Sequence, residues 1–178
     1  MTTAVDTRLL AVYLNDHLAG ATVGVLRVRR MARAYDGTVV GARVAPLVAQ
    51  FTDERAWLLD CVHRLDLPVR TYKIVGAAVV ERLGRLKLNG HVHSGSPLSA
   101  LLEVELLRGA VTGKSSGWLT LRAQGSRLGL APDQERDLDE LVAQAEDQLR
   151  ALTDLLDVLH ANAFRHGGPT TGGGPATA

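Results

Sequence analysis

The sequence predicts an all-α fold of four long amphipathic helices, with a shorter helix in the connection between the second and third. Three observations carry that reading. Apolar residues recur at three- and four-residue spacing through most of the chain, the repeat of one helix face. Capping residues and prolines fall where those stripes begin. No alternating strand pattern occurs anywhere.

The first stripe reads Leu10, Leu14, His17, Ala21, Val25, Val28 and Ala32. Asp6 precedes it as an N-cap, its carboxylate able to accept from the free amides of the first turn. Asp36-Gly37 ends it, with Gly37 suited to a left-handed conformation. Thr38 caps a second stripe of Val40, Val44, Leu47, Phe51, Glu54, Leu58, Val62 and Leu65, in which Pro46 predicts a kink near the N-terminal end. Pro68 opens a third, shorter segment over residues 69–87, and glycines and histidines over residues 88–95 predict a loop. Ser96-Pro97 starts a long helix expected to end at about Gln124, before Gly125. Pro132, followed by Asp133, Glu135 and Asp137, starts the last helix, where acidic groups oppose the positive end of the helix dipole. Its stripe is Leu138, Leu141, Ala145, Gln148, Leu152, Leu155, Leu159 and Ala163. These elements place one helical domain at residues 1–166. Residues 167–178 hold only Gly, Pro, Thr and Ala, too little apolar surface to offset ordering, and are expected to be a disordered tail.

Composition narrows function by exclusion. The chain has 178 residues, of which 46% are hydrophobic and 22% charged, enough for a real core in one domain. A net charge of +1 and 4% aromatics argue against a nucleic-acid partner. The single cysteine, Cys61, excludes a disulfide framework and suits a cytoplasmic setting. No signal peptide is recognised at the N-terminus. The halves differ in charge: residues 1–90 sum to +5 and residues 91–178 to −4, which favours their docking or head-to-tail self-association.

Two antiparallel helix pairs joined by one long helical crossover are the ferritin-like arrangement. The motifs Tyr-Leu-Asn-Asp-His-Leu-Ala-Gly at residues 13–20 and Leu-Gly-Arg-Leu-Lys-Leu-Asn-Gly at residues 83–90 resemble an uncharacterised bacterial branch of the ferritin-like superfamily. The resemblance spans about residues 7–165 and implies a four-helix bundle. No cofactor is expected from the residues present, and iron or manganese is the alternative that the resemblance implies. A di-iron bundle takes one Glu from each of two helices and Glu-x-x-His from each of the other two. Here Glu54 is followed three residues later by Trp57, and Glu146 by Leu149, so neither pair is present. The polar residues assigned inward positions, one per long helix, are His17, Glu54, Glu105 and Gln148. They are read as a hydrogen-bonded network fixing helix register, as a degenerate metal site, or as a pocket for a ligand, with His17 the expected partner of Glu54.

Other features receive blander readings. Asp60 with His63, and Asp157 with His160, have the Asp-x-x-His spacing but fall beside the stripes, on expected solvated faces. His91 and His93 are expected in a solvated loop. Arg27, Arg29, Arg30 and Arg33 are expected to form a solvated basic end to the first helix. Gly113-Lys114-Ser115 resembles the end of a phosphate-binding loop, but Arg108 stands where the first glycine belongs and the segment is helix interior. Gly20 and Gly24, with Gly109, Gly113 and Gly117, form two ridges at four-residue spacing. Each costs about 1 kcal/mol relative to alanine inside a helix, so they imply close packing or room for a ligand. The leading expectation is a non-enzymatic binding or structural protein acting on a partner, a small ligand or itself. The alternatives are a metal-dependent oxidoreductase or iron-handling protein using His17, Glu54 and Glu105, and a peripheral membrane protein engaged through the basic residues of segment 69–87.

Overall fold

The computed structural model describes residues 5–70, 76 and 97–163. Five helices lie in those residues: α1 (Thr7–Ala34), α2 (Val39–Val44), α3 (Leu47–Arg64), α4 (Pro97–Leu128) and α5 (Pro132–Ala163). No strand occurs among the described residues. Of the predicted crossover segment, residues 69, 70 and 76 are described: 69 and 70 are not helical, so Pro68 does not open the helix as expected, and 76 is helical. The rest of that segment, the loop with His91 and His93, and the predicted tail lie outside the described residues.

Local chemistry sets the ends. Asp6 accepts from the amides of Arg8 and Leu9 at 2.9 and 3.1 Å, and Thr38 accepts from Gly41 at 3.2 Å, the two N-caps the sequence predicts. The kink expected at Pro46 is instead a break. Ala45 and Pro46 keep helical dihedrals, but proline has no N–H to donate, and the ladder resumes through a tighter bond from the Val48 amide to the Ala45 carbonyl. α3 closes with the Leu67 amide on the Val62 carbonyl at 3.1 Å across Asp66, which takes the left-handed conformation at φ 52°. α4 closes the same way: the Leu130 amide reaches the Gly125 carbonyl across Gly129 at φ 68°. The left-handed stop is therefore Gly129, and Gly125 lies inside the helix. A Cβ there would come within 3.1 Å of Glu135 Oε1 on α5, so Gly125 serves a close approach rather than a helix end.

Side-chain links fix the directions of the helices. Thr22 with Arg55, Gly24 with Phe51 and Arg29 with Thr52 run α3 antiparallel to α1. Arg108 with Thr153 and Arg122 with Asp139 run α5 antiparallel to α4. His17 beside Gly117, and Arg30 bonded to Glu103 at 2.7 Å, run α4 antiparallel to α1. α3 and α4 thus point one way, and α1 and α5 the other.

One hydrophobic core joins the four long helices. α3 and α5 bury nearly the predicted stripes. The α1 stripe is turned slightly: Ala11, Leu14, Leu18, Val25, Val28 and Met31 are buried, while Leu10, His17, Ala21 and Ala32 lie at its flank. α1 is also long and apolar enough to cross a membrane by length and composition, the single described helix of that kind. Its apolar face packs into this core.

Candidate ligand-binding cavity

Glu54 on α3, Lys114 on α4 and Gln148 on α5 meet in one polar cluster. Glu54 is 3% exposed. Its Oε2 accepts from Lys114 Nζ at 2.5 Å, and its Oε1 accepts from Gln148 Nε2 at 2.9 Å. Gln148 Oε1 accepts from the same lysine at 2.5 Å, and Gln148 Nε2 also donates to Gln50 at 2.8 Å. Lys114 Nζ lies 3.9 Å from the centroid of the Phe51 ring, a cation–π contact. Burial pulls the Lys114 ammonium below the usual lysine range, and the Glu54 carboxylate opposes that pull.

The structure therefore brings Glu54 and Gln148 together as expected, but supplies a different cation. Lys114, not His17, neutralises Glu54. Glu105, assigned an inward position, is exposed on α4. The physical reason is the phase of that helix: Val104, Leu107, Val111, Trp118 and Leu121 form the buried stripe, and Lys114 falls on it while Glu105 falls off it. That stripe was the signal in the sequence that identifies Lys114 as an inward residue. A di-iron centre does not fit these residues. Both Glu54 oxygens are occupied by protein donors, an ammonium already provides the compensating charge, and among the described residues no three His, Cys, Asp or Glu side chains gather to hold a metal.

Trp57, standing where a metal-binding histidine would be, donates from Nε1 to Asp137 at 3.1 Å and meets Trp118 edge-on with centroids 5.6 Å apart. Asp60, His63, Asp157 and His160 are exposed. Of the basic end of α1, Arg29 is exposed, as expected, and bonds Thr52, whereas Arg30 is half-buried and pairs with Glu103 on α4.

A second feature lies beside the cluster. α1, α3 and α4 border a half-open cavity of about 300 Å³. Leu14, Phe51, Leu58, Trp118 and Leu121 give it an apolar interior, and Glu54 and Lys114 form part of its wall. His17 also lines it, its ring 4.5 Å from that of Tyr13 and tilted by 59°. Burial lowers the His17 pKa below its ordinary 6.5, partly offset by Asp16, which favours the neutral imidazole.

The glycines divide into two kinds here. A Cβ on Gly117 would lie 2.9 Å from the His17 ring, and one on Gly24 would lie 3.3 Å from Phe51. Those two make room for side chains already present. A Cβ on Gly20 or Gly113 would meet nothing within 4 Å, although both residues line the cavity. The register set by His17–Gly117 and Arg30–Glu103 puts Gly20 and Gly113 at the same level of the α1–α4 contact. Gly109, a turn away and outside the lining, is likewise open.

Asn15 is a buried polar residue that the sequence reading passed over. Its Nδ2 donates to the carbonyls of Ala11 and Pro68, and its Oδ1 accepts from the Arg70 amide at 2.6 Å. It anchors the chain after α3 onto α1, between the lining residues Leu14 and Asp16. Comparison of the chain with protein-family models, with curated proteins and with solved structures gives no significant match.

Proposed function

We propose that this chain is a non-enzymatic ligand-binding protein on a ferritin-like four-helix bundle, and that the cavity between α1, α3 and α4 takes a small molecule. The observation that carries the reading is the pair Gly20 and Gly113. Helix-interior glycine costs about 1 kcal/mol relative to alanine. No packing contact within the protein accounts for glycine at these two exposed positions, and both border a half-open, largely apolar hollow with a few polar groups in its wall. Such a hollow is the usual form of a small-molecule site.

Support for the ferritin-like topology comes from the helix directions. α1 and α5 run against α3 and α4, so the consecutive long helices α3 and α4 are parallel, the direction expected of a bundle with one long crossover. The same reading treats α1 as a core helix of a cytoplasmic protein. The saturated Glu54–Lys114–Gln148 cluster has the role of a register-fixing network forming the inner wall, in place of a metal centre.

The test is a set of neutral, anionic and cationic compounds of about ten heavy atoms, screened by amide chemical shifts on labelled protein. Some member should shift Gly20, Gly113 and Gly117, and Gly113→Leu, which fills the open level, should abolish that response without unfolding the chain. An absence of any response at those three amides across all charge types refutes the reading.

A further inference from the structure

Resting on that reading, the cavity's charge inventory identifies the class of ligand. Five of the side chains lining the cavity are acidic or basic: Asp16, His17, Glu54, Arg55 and Lys114. Glu54 and Lys114 neutralise each other at 2.5 Å. Their remaining hydrogen-bonding capacity goes to Gln148, and the ammonium also sits over Phe51. Arg55 donates from Nε to Thr22 at 2.8 Å, and Asp16 is engaged as well. With two acids, two bases and a neutral imidazole, the lining carries no net charge. A charged ligand entering this space would give up hydration against a lining of zero net charge.

The His17 ring differs from the charged groups. It has no hydrogen-bond partner among the described residues, and it packs between the Tyr13 ring and the space that a side chain on Gly117 would fill. A neutral imidazole offers one donor and one acceptor. The volume of about 300 Å³ corresponds to roughly ten waters at about 30 Å³ each, hence to a ligand of about ten heavy atoms.

We infer that the cavity selects an uncharged, mainly apolar molecule of about ten heavy atoms bearing a single hydroxyl or carbonyl group, with His17 as its hydrogen-bonding contact. The electroneutral wall supplies the selection against ions, and His17 supplies the polar contact that orients the molecule.

The experiment is calorimetric titration of the full chain at pH 7.5 with three probes sharing one ring system: 2-naphthol, 2-naphthoate and 2-naphthylmethylammonium. The inference expects 2-naphthol to bind at least tenfold tighter than either ion, and His17→Phe to weaken 2-naphthol about five- to tenfold, the worth of one hydrogen bond. Gly113→Leu, whose Cβ enters open space, should remove binding of all three while the protein stays folded by circular dichroism. If an ion binds as tightly as 2-naphthol, the charge argument is overturned while the cavity remains a binding site. If 2-naphthol binds equally well to His17→Phe, the assignment of His17 is overturned. If no probe binds the wild-type chain, the inference is overturned. The amide-shift screen then decides the broader reading separately, because it samples other shapes.

Discussion

The polar cluster and the glycine level stand side by side in the same wall, and they are opposites. At Glu54, Lys114 and Gln148 every strong hydrogen-bonding group has found a partner inside the protein. At Gly20 and Gly113 the chain lacks side chains where there is space for them. The first region has the residue types usually searched for when looking for chemistry, and its valences are spent. The second has no reactive group, and it is where the protein leaves room. Buried polarity alone therefore does not mark a site, because a satisfied network serves packing. Helix-interior glycines exposed at the rim of a half-open apolar hollow are the stronger sign.

The comparison breaks most sharply at the ion pair. Glu54→Ala or Lys114→Ala alone should destabilise the protein by about 3–5 kcal/mol in urea unfolding, because each leaves a buried charge without its partner. The double substitution Glu54→Leu with Lys114→Met should recover most of that loss. Recovery would confirm that the cluster is a network replaceable by apolar packing, and a failure to recover would mean that its polarity does more. At the packed glycine, Gly117→Ala should destabilise by about 1–2 kcal/mol, since a Cβ 2.9 Å from the His17 ring forces that ring to move. At the open glycines the sign reverses: Gly20→Ala and Gly113→Ala should each stabilise by about 1 kcal/mol, read as a higher urea midpoint. Destabilisation there would show that the level is closed in solution and sink the contrast.

The smallest effect concerns pH. The folded pKa of His17 is depressed, so at acid pH the unfolded chain takes up a proton that the folded chain resists. Stability from this group is fully present above about pH 6.5 and falls as pH drops through the lower, folded value. Thermal midpoints between pH 7.5 and 5 should fall less steeply in His17→Gln than in the wild type. Equal slopes would mean that the ring is solvated rather than packed between Tyr13 and Gly117.

The helices themselves were legible because their causes are local. Asp6, Thr38 and Pro132 cap or start helices through bonds and dihedrals within a few residues, and the apolar period follows from 3.6 residues per turn. Errors arose where a neighbour decided. Gly125 resembled a helix stop, and only the approach of Glu135 explains a glycine inside α4. His17 was placed within the α1 stripe, but the buried face is turned toward Ala11 and Leu18, which leaves the ring at the cavity's edge. Lys114 was legible as helix interior, and its place on the stripe between Val111 and Trp118 was open to reading. A lysine is so seldom buried that its direction is settled only by a partner, here Glu54 from another helix.

By itself, then, the amino-acid sequence determined an all-helical chain, most of its helix ends and two of the three buried stripes predicted among the long helices. Each of these depends on contacts a few residues apart. Tertiary structure alone decided which cation meets Glu54, that Glu105 faces water, and that two of five ridge glycines open onto a hollow while two others pack. Those outcomes depend on the relative rotation and register of helices far apart in the chain. A one-residue change in register turns a helix face by about 100°, enough to exchange a buried partner for an exposed one.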